Sequence, residues 1–203
     1  MENQMNEEKH GEMTPAGDKK NPKEEPSMKS IVLDWVKAFV IALIIALAIT
    51  AVIRPTIVRE TSMLPNIQDG NYVFVYKLAY KTHNPQKGDV IVFKSNIDNG
   101  KRLIKRVIGV PGDTITIKSG EVYINGKKDD QSYTNDKWTT GEITNLKVTK
   151  GHYFCMGDNR IVSRDSRDSS VGLVAKDKII GKAVFRLFPL SEIGTIKNPY
   201  TDK

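Results

Sequence analysis

Three short segments of this 203-residue chain carry side chains that could do covalent chemistry. Glu60-Thr61-Ser62-Met63-Leu64-Pro65 offers a hydroxyl, and Leu103-Ile104-Lys105-Arg106-Val107-Ile108 offers an amine. Gly157-Asp158-Asn159-Arg160-Ile161-Val162-Ser163-Arg164-Asp165-Ser166-Arg167 is dense in small polar and charged residues directly after an apolar run. A serine attacks a carbonyl only if a base takes its proton as it does so. A lysine, protonated below ~10.4, is no base at neutral pH unless its charge is destabilised. Apolar burial lowers a lysine pKa by up to ~3–5 units, and about 3 units correspond to roughly 4 kcal/mol. Lys105 is the candidate this arithmetic selects, because it lies in a strand by composition and shares a face with Leu103 and Val107. Each piece also has a plain reading. A strand lysine can snorkel at an edge, a loop serine can be structural, and the 157–167 segment can be a loop held by ion pairs rather than a wall of a site.

Other nucleophile and base chemistries fare worse. His10 lies in a polar tail, His83 in the turn-like Thr82-His83-Asn84-Pro85, and His152 at a strand start after Gly151, so surface positions suit all three. Cys155, the single cysteine, sits in Tyr153-Phe154-Cys155-Met156, where a small buried hydrophobe is the simpler role; alone, it forms no intramolecular disulfide. No spacing of His, Cys and carboxylates suggests a metal site, and no cofactor is implied.

The elements that must position these residues begin with an anchor. Residues 1–29 are rich in lysine and glutamate with three prolines, a composition that buries too little surface to fold and predicts a disordered tail. From Ala38 to Ile53 run sixteen residues of which only Thr50 is polar, and extension back to Ile31 gives 23, interrupted by Asp34 and Lys37. That length crosses a bilayer core as a helix, predicted over 30–54 with Pro55 marking its end. A soluble core helix would show a polar face. A cleaved leader would have a shorter apolar run followed by an accessible small-residue site, whereas Ala46-Leu47-Ala48 lies inside the run. Lys19, Lys20, Lys23, Lys29 and Lys37 precede the span and Arg54 and Arg59 follow it, which predicts a cytoplasmic N-terminus with residues 55–203 outside. The net charge of +7 fits an anionic membrane surface better than nucleic acid, since no basic helix or aromatic-basic interleaving is present.

Beyond the span the chain reads as all-β. Val73–Tyr76, Val90–Phe93, Leu103–Val110, Thr114–Ile117, Val122–Ile124, Tyr153–Met156 and Ala183–Phe188 are short β-branched or aromatic runs. Lys87-Gly88-Asp89, Val110-Pro111-Gly112-Asp113 and Asn125-Gly126 separate several of them as turns. Many short strands without intervening helices predict a β-barrel or sandwich-like domain. Residues 127–150, mostly polar, are expected to form an excursion from its main sheet.

Taken together and in order, the segments resemble a known family. Ser-Met-x-Pro at 62–65 after a membrane span, Lys-Arg-Val-Ile-Gly-x-Pro-Gly-Asp at 105–113, and Gly-Asp-Asn-Arg-x-x-Ser-x-Asp-Ser-Arg at 157–167 resemble the bacterial type I signal peptidases, or leader peptidases. Gly88-Asp89-Val90-Ile91-Val92-Phe93 fits the same pattern, and the resemblance covers about 31 to 190. Ordered motifs of this length are far more specific than a single short match. The resemblance implies Ser62 as nucleophile, Lys105 as general base, and Ser163 as the hydroxyl that orients the lysine amine. It implies structural charges at Arg106, Asp158, Asp165 and Arg167. It also implies a shallow pocket for small substrate side chains lined by Met63, Leu103 and Ile104, which could equally be core residues.

One position departs from the pattern. Many members carry serine or glycine two residues before the nucleophile, and in some that hydroxyl helps hold the oxyanion. Glu60 stands there, and an ionised carboxylate donates no hydrogen bond. The oxyanion would then rely on backbone N–H groups, that of Ser62 first, and Glu60 is expected to face solvent. The resemblance implies cleavage of signal peptides from secretory preproteins after Ala-x-Ala-like sites, at the outer surface of a bacterial cell membrane. Its partners would be preproteins, the lipid bilayer and the protein translocase. A single anchor looks Gram-positive. Two rivals remain: a silent relative that binds preproteins or assists another peptidase, for which Glu60 speaks, and a soluble self-cleaving Ser-Lys regulator, which the span and the lack of a DNA-binding helix pair oppose.

Overall fold

The structure, a computed structural model, describes residues 27–97 and 100–202. The tail expected over 1–29 and His10 fall outside these residues, except for positions 27–29. The chain divides into two compact units, one up to Leu43 and one from Ile44 onward.

Helix α1 runs Met28–Val52, and none of its residues is buried. It contains neither proline nor glycine, and alanine, leucine and isoleucine dominate it, so nothing interrupts the backbone hydrogen bonds. At 25 residues, with an 18-residue stretch of mean hydropathy 2.5, it is long and apolar enough to cross a membrane. Its final turn leaves carbonyls without helical partners; Lys77 satisfies two, from its amine to Thr50 O (3.1 Å) and from its backbone N–H to Val52 O (2.9 Å).

The second unit is built from strands β1 Ile53–Ile57, β2 Tyr72–Tyr76, β3 Val90–Lys94, β4 Arg102–Gly109, β5 Thr114–Lys118, β6 Glu121–Ile124, β7 Lys127–Lys128, β8 Ile143–Lys147, β9 His152–Met156, β10 Val174–Ala175, β11 Ile179–Phe188 and β12 Gly194–Thr195. All seven runs expected as strands are strands, and the domain is sheet-rich as expected. It forms two sheets rather than a closed barrel. The larger has the order β1-β2-β11-β3-β4-β9-β10 with β12 on β11; the smaller has β7-β6-β5-β8. Pro55 lies within β1, which pairs with β2; at the end of the sheet's strand order its missing N–H is tolerated.

The segment 127–150 supplies β7 and β8, both in the smaller sheet. β8 escapes a pattern search because only two of its five residues are even partly buried. Asn125 and Gly126 close the β6–β7 hairpin with φ of 54° and 78°, the double left-handed geometry that an Asn-Gly pair favours.

Three apolar clusters pack the sheets. Val58, Met63, Ile67, Val73, Val75, Val90, Val92, Ile104 and Ala183 form the first. Ile91, Phe93, Leu103, Val107, Tyr153, Cys155, Val171 and Val174 form the second, and Ile108, Ile115, Val122, Phe154 and Met156 anchor the third. β4 lies between β3 and β9 and is buried on both faces from Leu103 to Gly109. Its alternating side chains therefore enter different clusters: Ile104 the first, Leu103 and Val107 the second.

Candidate active site

Strand alternation determines where Lys105 goes. It pairs with Ile91 across β3–β4, with Phe93 opposite Leu103, so it rises on the face that carries the second apolar cluster. Only 1% of its side chain is exposed. Ser62 is in the turn after Glu60, where Leu64 N donates to Thr61 O (3.2 Å) and Ile67 N to Met63 O (2.9 Å). Met63 and Ile67 are both fully buried and pin this turn against the first cluster. The outcome is contact between residues 43 positions apart: Lys105 Nζ lies 2.7 Å from Ser62 Oγ.

The loop after β9 forms the wall. Asn159 donates from its backbone to Ser62 O (3.0 Å) and from its side chain to Thr61 O (3.2 Å). Gly157 passes so near the serine that a Cβ there would lie 2.4 Å from Ser62 O and 2.3 Å from Ser163 Oγ, so only glycine fits. Asp165 accepts from Gly157 N (3.0 Å) and from Arg167 Nε and Nη2 (both 2.8 Å). Arg167 Nη1 in turn donates to Arg160 O (2.7 Å). Asp158 accepts from Arg106 and from Asn66 Nδ2 (2.9 Å). Arg106, Asp158, Asp165 and Arg167 thus tie strand to loop and loop to itself.

Burial works against a charge on this amine. Burial pushes the Lys105 pKa below that of an ordinary lysine, against the opposing pull of the Glu60 and Asp165 charges. Water and apolar walls differ most in how they treat an ion, which is why the ammonium loses stability here.

Three expectations need correction. Glu60 does not face solvent: Oε2 lies 3.5 Å from Ser62 Oγ and 3.6 Å from Lys105 Nζ, while Oε1 pairs with Lys101 Nζ at 2.8 Å. Two amines attract the carboxylate inward. Burial alone would disfavour its charge, but the Lys101 hydrogen bond and both lysine charges outweigh this and hold its pKa below the usual range. Ser163 Oγ is buried and makes no hydrogen bond, so it does not orient the amine in this geometry; it sits over Gly157 instead. Of the three pocket residues, Leu103 lines the cleft at Ser62, whereas Met63 and Ile104 are packed in the first apolar cluster.

That cleft, of about 270 Å³, is lined by Glu60, Thr61, Ser62, Ile97, Lys101, Leu103, Val162 and Arg164. A larger cavity of about 630 Å³ opens between Lys87, Asp129, Tyr133 and Tyr200, and includes neither Ser62 nor Lys105. Lys101, Gly157 and Asn159 have no individual role at the serine in the sequence reading. Gly157 and Asn159 lie inside a recognised motif, while nothing local to Lys101 ties it to Glu60.

The remaining candidates stay outside the cleft. His83 is exposed and bonded to Thr82 Oγ1 (2.8 Å), and His152 lies near Thr149 Oγ1 (3.1 Å). Cys155 is fully buried, and burial pushes its thiol far above the range in which a thiolate forms.

A buried amine on a buried hydroxyl, at the edge of an open cleft, can transfer a proton and make an acyl bond. The profile of the family described as signal peptidase, peptidase S26, matches residues 32–188. Signal peptidase I of Bacillus licheniformis is 38% identical over 175 residues, covering 81% of this chain and 93% of its own length. Signal peptidase IB of Staphylococcus aureus (strain COL) is 36% identical over 194 residues, covering 87% of this chain and all of its own. The crystal structure of a signal peptidase I from Enterococcus faecalis V583 aligns with 49% of this chain and 96% of its own, at 34% identity and a TM-score of 0.43. The chain belongs to the type I signal peptidases of peptidase family S26.

Proposed function

We propose that this peptidase cleaves signal peptides from secretory preproteins with Ser62 as nucleophile and Lys105 as general base. The observation that carries the reading is the 2.7 Å contact between Lys105 Nζ and Ser62 Oγ, with the amine out of water. Neutral Lys105 takes the hydroxyl proton as Oγ bonds to the scissile carbonyl carbon. The carbonyl electrons move to oxygen, where the Ser62 backbone N–H is the first candidate donor. As they return, the C–N bond breaks and the Lys105 ammonium passes its proton to the leaving amine. Lys105 then removes a proton from water, which attacks the ester and releases Ser62. Ser163, beside Gly157 and with no bonded partner, is available to accept from the amine once it is charged.

Leu103 and Val162 give the cleft apolar walls, which suit the small side chains of an Ala-x-Ala-like site. α1 fits a membrane anchor, and the lysines before it favour a cytoplasmic N-terminus, with the catalytic domain at the outer surface of the cell membrane. There it would meet preproteins in the lipid bilayer as they leave the translocase.

The test is cleavage of a fluorogenic signal-peptide substrate by the full chain in detergent. Ser62→Ala and Lys105→Met should each lose at least ~1,000-fold in kcat/KM, the scale seen when a nucleophile or its base is removed. Survival of cleavage in either variant defeats this mechanism. Parent protein that binds the substrate without cutting it would favour the silent relative.

A further inference from the structure

The cleft holds a carboxylate that serine–lysine chemistry does not itself require. Glu60 Oε2 stands 3.5 Å from Ser62 Oγ and 3.6 Å from Lys105 Nζ, and Oε1 stands 2.8 Å from Lys101 Nζ. The carboxylate therefore bridges a lysine side chain that is 1% exposed and another that is 49% exposed, and is itself 27% exposed. Ser163 Oγ, the other group available to hold the amine, is without a partner.

We propose that Glu60 is the positioning residue of the Ser62–Lys105 pair: Oε2 holds the ammonium formed when Ser62 gives up its proton, and Lys101, through Oε1, sets how strongly that charge is felt. This rests on reading Ser62 and Lys105 as nucleophile and base. A buried cation is costly unless a negative group stands close. During acylation the proton moves from Ser62 Oγ to Lys105 Nζ, so positive charge appears beside the carboxylate, and the gain is larger in the transition state than before it. The same carboxylate opposes the neutral amine that must start the reaction. Lys101 offsets this second effect by taking up part of the carboxylate's field.

The other charged or titratable groups around Lys105 come from β9 and the loop that follows it. Asp165, from the loop after β9, raises its pKa but is itself paired with Arg167 at 2.8 Å. Arg164 lines the same cleft and pairs with Asp168 at 3.1 Å. Cys155 of β9 stays protonated. Glu60 raises the Lys105 pKa and Lys101 lowers it, both against a background in which burial lowers it most. The two neighbours therefore act on the amine with opposite signs, as their charges require.

The experiment is the pH profile of kcat and kcat/KM for the full chain in detergent, with a fluorogenic signal peptide. Glu60→Gln should move the rising limb to lower pH and reduce the plateau kcat by ~10-fold, as for loss of a charged hydrogen bond. KM should stay within ~2-fold, because the interaction forms with the transition state. Lys101→Met should move the limb to higher pH, and its effect should shrink in a Glu60→Gln background. Glu60→Asp should recover part of the parent profile. Limbs that do not move, or that move the same way in both single variants, overturn the proposal. Ser62→Ala serves as the control: if it is inactive while Glu60→Gln keeps the parent profile, this inference alone fails; if Ser62→Ala still cleaves, the underlying mechanism fails.

Discussion

Arg106 and Asp158 form a two-pronged ion pair, Nε to Oδ1 at 2.8 Å and Nη2 to Oδ2 at 2.7 Å, with 1% and 0% of their side chains exposed. Arg106 is the neighbour of Lys105 on β4, and Asp158 the neighbour of Asn159, which holds the Ser62 carbonyl. The pair fixes the distance between the strand bearing the amine and the loop that holds the serine's carbonyl. Both donors of its other terminal nitrogen are used as well: Arg106 Nη1 reaches Gly88 O (2.8 Å) and Lys197 O (3.1 Å). Arg106→Met leaves the Asp158 carboxylate buried beside Asn66 alone, and a broken buried pair costs ~3–5 kcal/mol. Denaturant unfolding of the variant should show a loss of that size, and activity should fall even where the domain remains folded.

Cleavage should rise with pH. The amine must be neutral to accept the Ser62 proton, and burial lowers its pKa from the ordinary value. Its neutral fraction therefore grows through a midpoint below the ~10.4 of free lysine. The kcat/KM profile should show a single rising limb on the acid side with its midpoint well short of that value. A midpoint at the free-lysine value would mean that the amine is wetted in solution.

Stability should rise with pH as well. With the folded pKa of Lys105 below its unfolded one, the unfolded chain binds more protons between the two values, so stability rises with pH across that window. The burial cost is full below the folded pKa and gone above the unfolded one. Lys105→Met removes it, and should raise the melting temperature at neutral pH by an amount that shrinks as the pH climbs towards ~10.4. Melting curves at several pH values, read on the inactive variant and its parent, provide the check.

Gly157→Ala tests how tightly the loop is packed on the serine. A Cβ 2.4 Å from Ser62 O meets backbone, which cannot rotate away as a flexible side-chain tip would. The strand end and the serine turn must separate, and displacement of about 1 Å at a reacting centre costs on the order of 100-fold. Loss of kcat/KM on that scale, with the fold retained by circular dichroism, is the expected result.

Much of this protein can be read from its residues in order. The span is visible because lipid demands an unbroken apolar run long enough to cross it. The seven strands are visible because β-branched runs between turn residues have few other uses, and Lys105 stands out because strand alternation aligns it with Leu103 and Val107. β1 and β8 are not visible: β1 contains Pro55 and β8 is mostly exposed, so each is a strand because of the neighbour it pairs with, which no local pattern encodes.

The same division runs through the site. Sequence alone determined which hydroxyl and which amine were worth pairing, since side-chain chemistry and motif order are properties of the chain. Only the tertiary structure decided that Glu60 turns inward, that Ser163 stands unbonded, and that Met63 and Ile104 belong to the core. Those outcomes depend on fields and packing from residues far along the chain, Lys101 and Lys105 for the carboxylate, Gly157 for the hydroxyl, and Val58 through Ala183 for the core. Electrostatic attraction and exclusion of water act through space, and folding brings them to bear on residues that the sequence keeps apart.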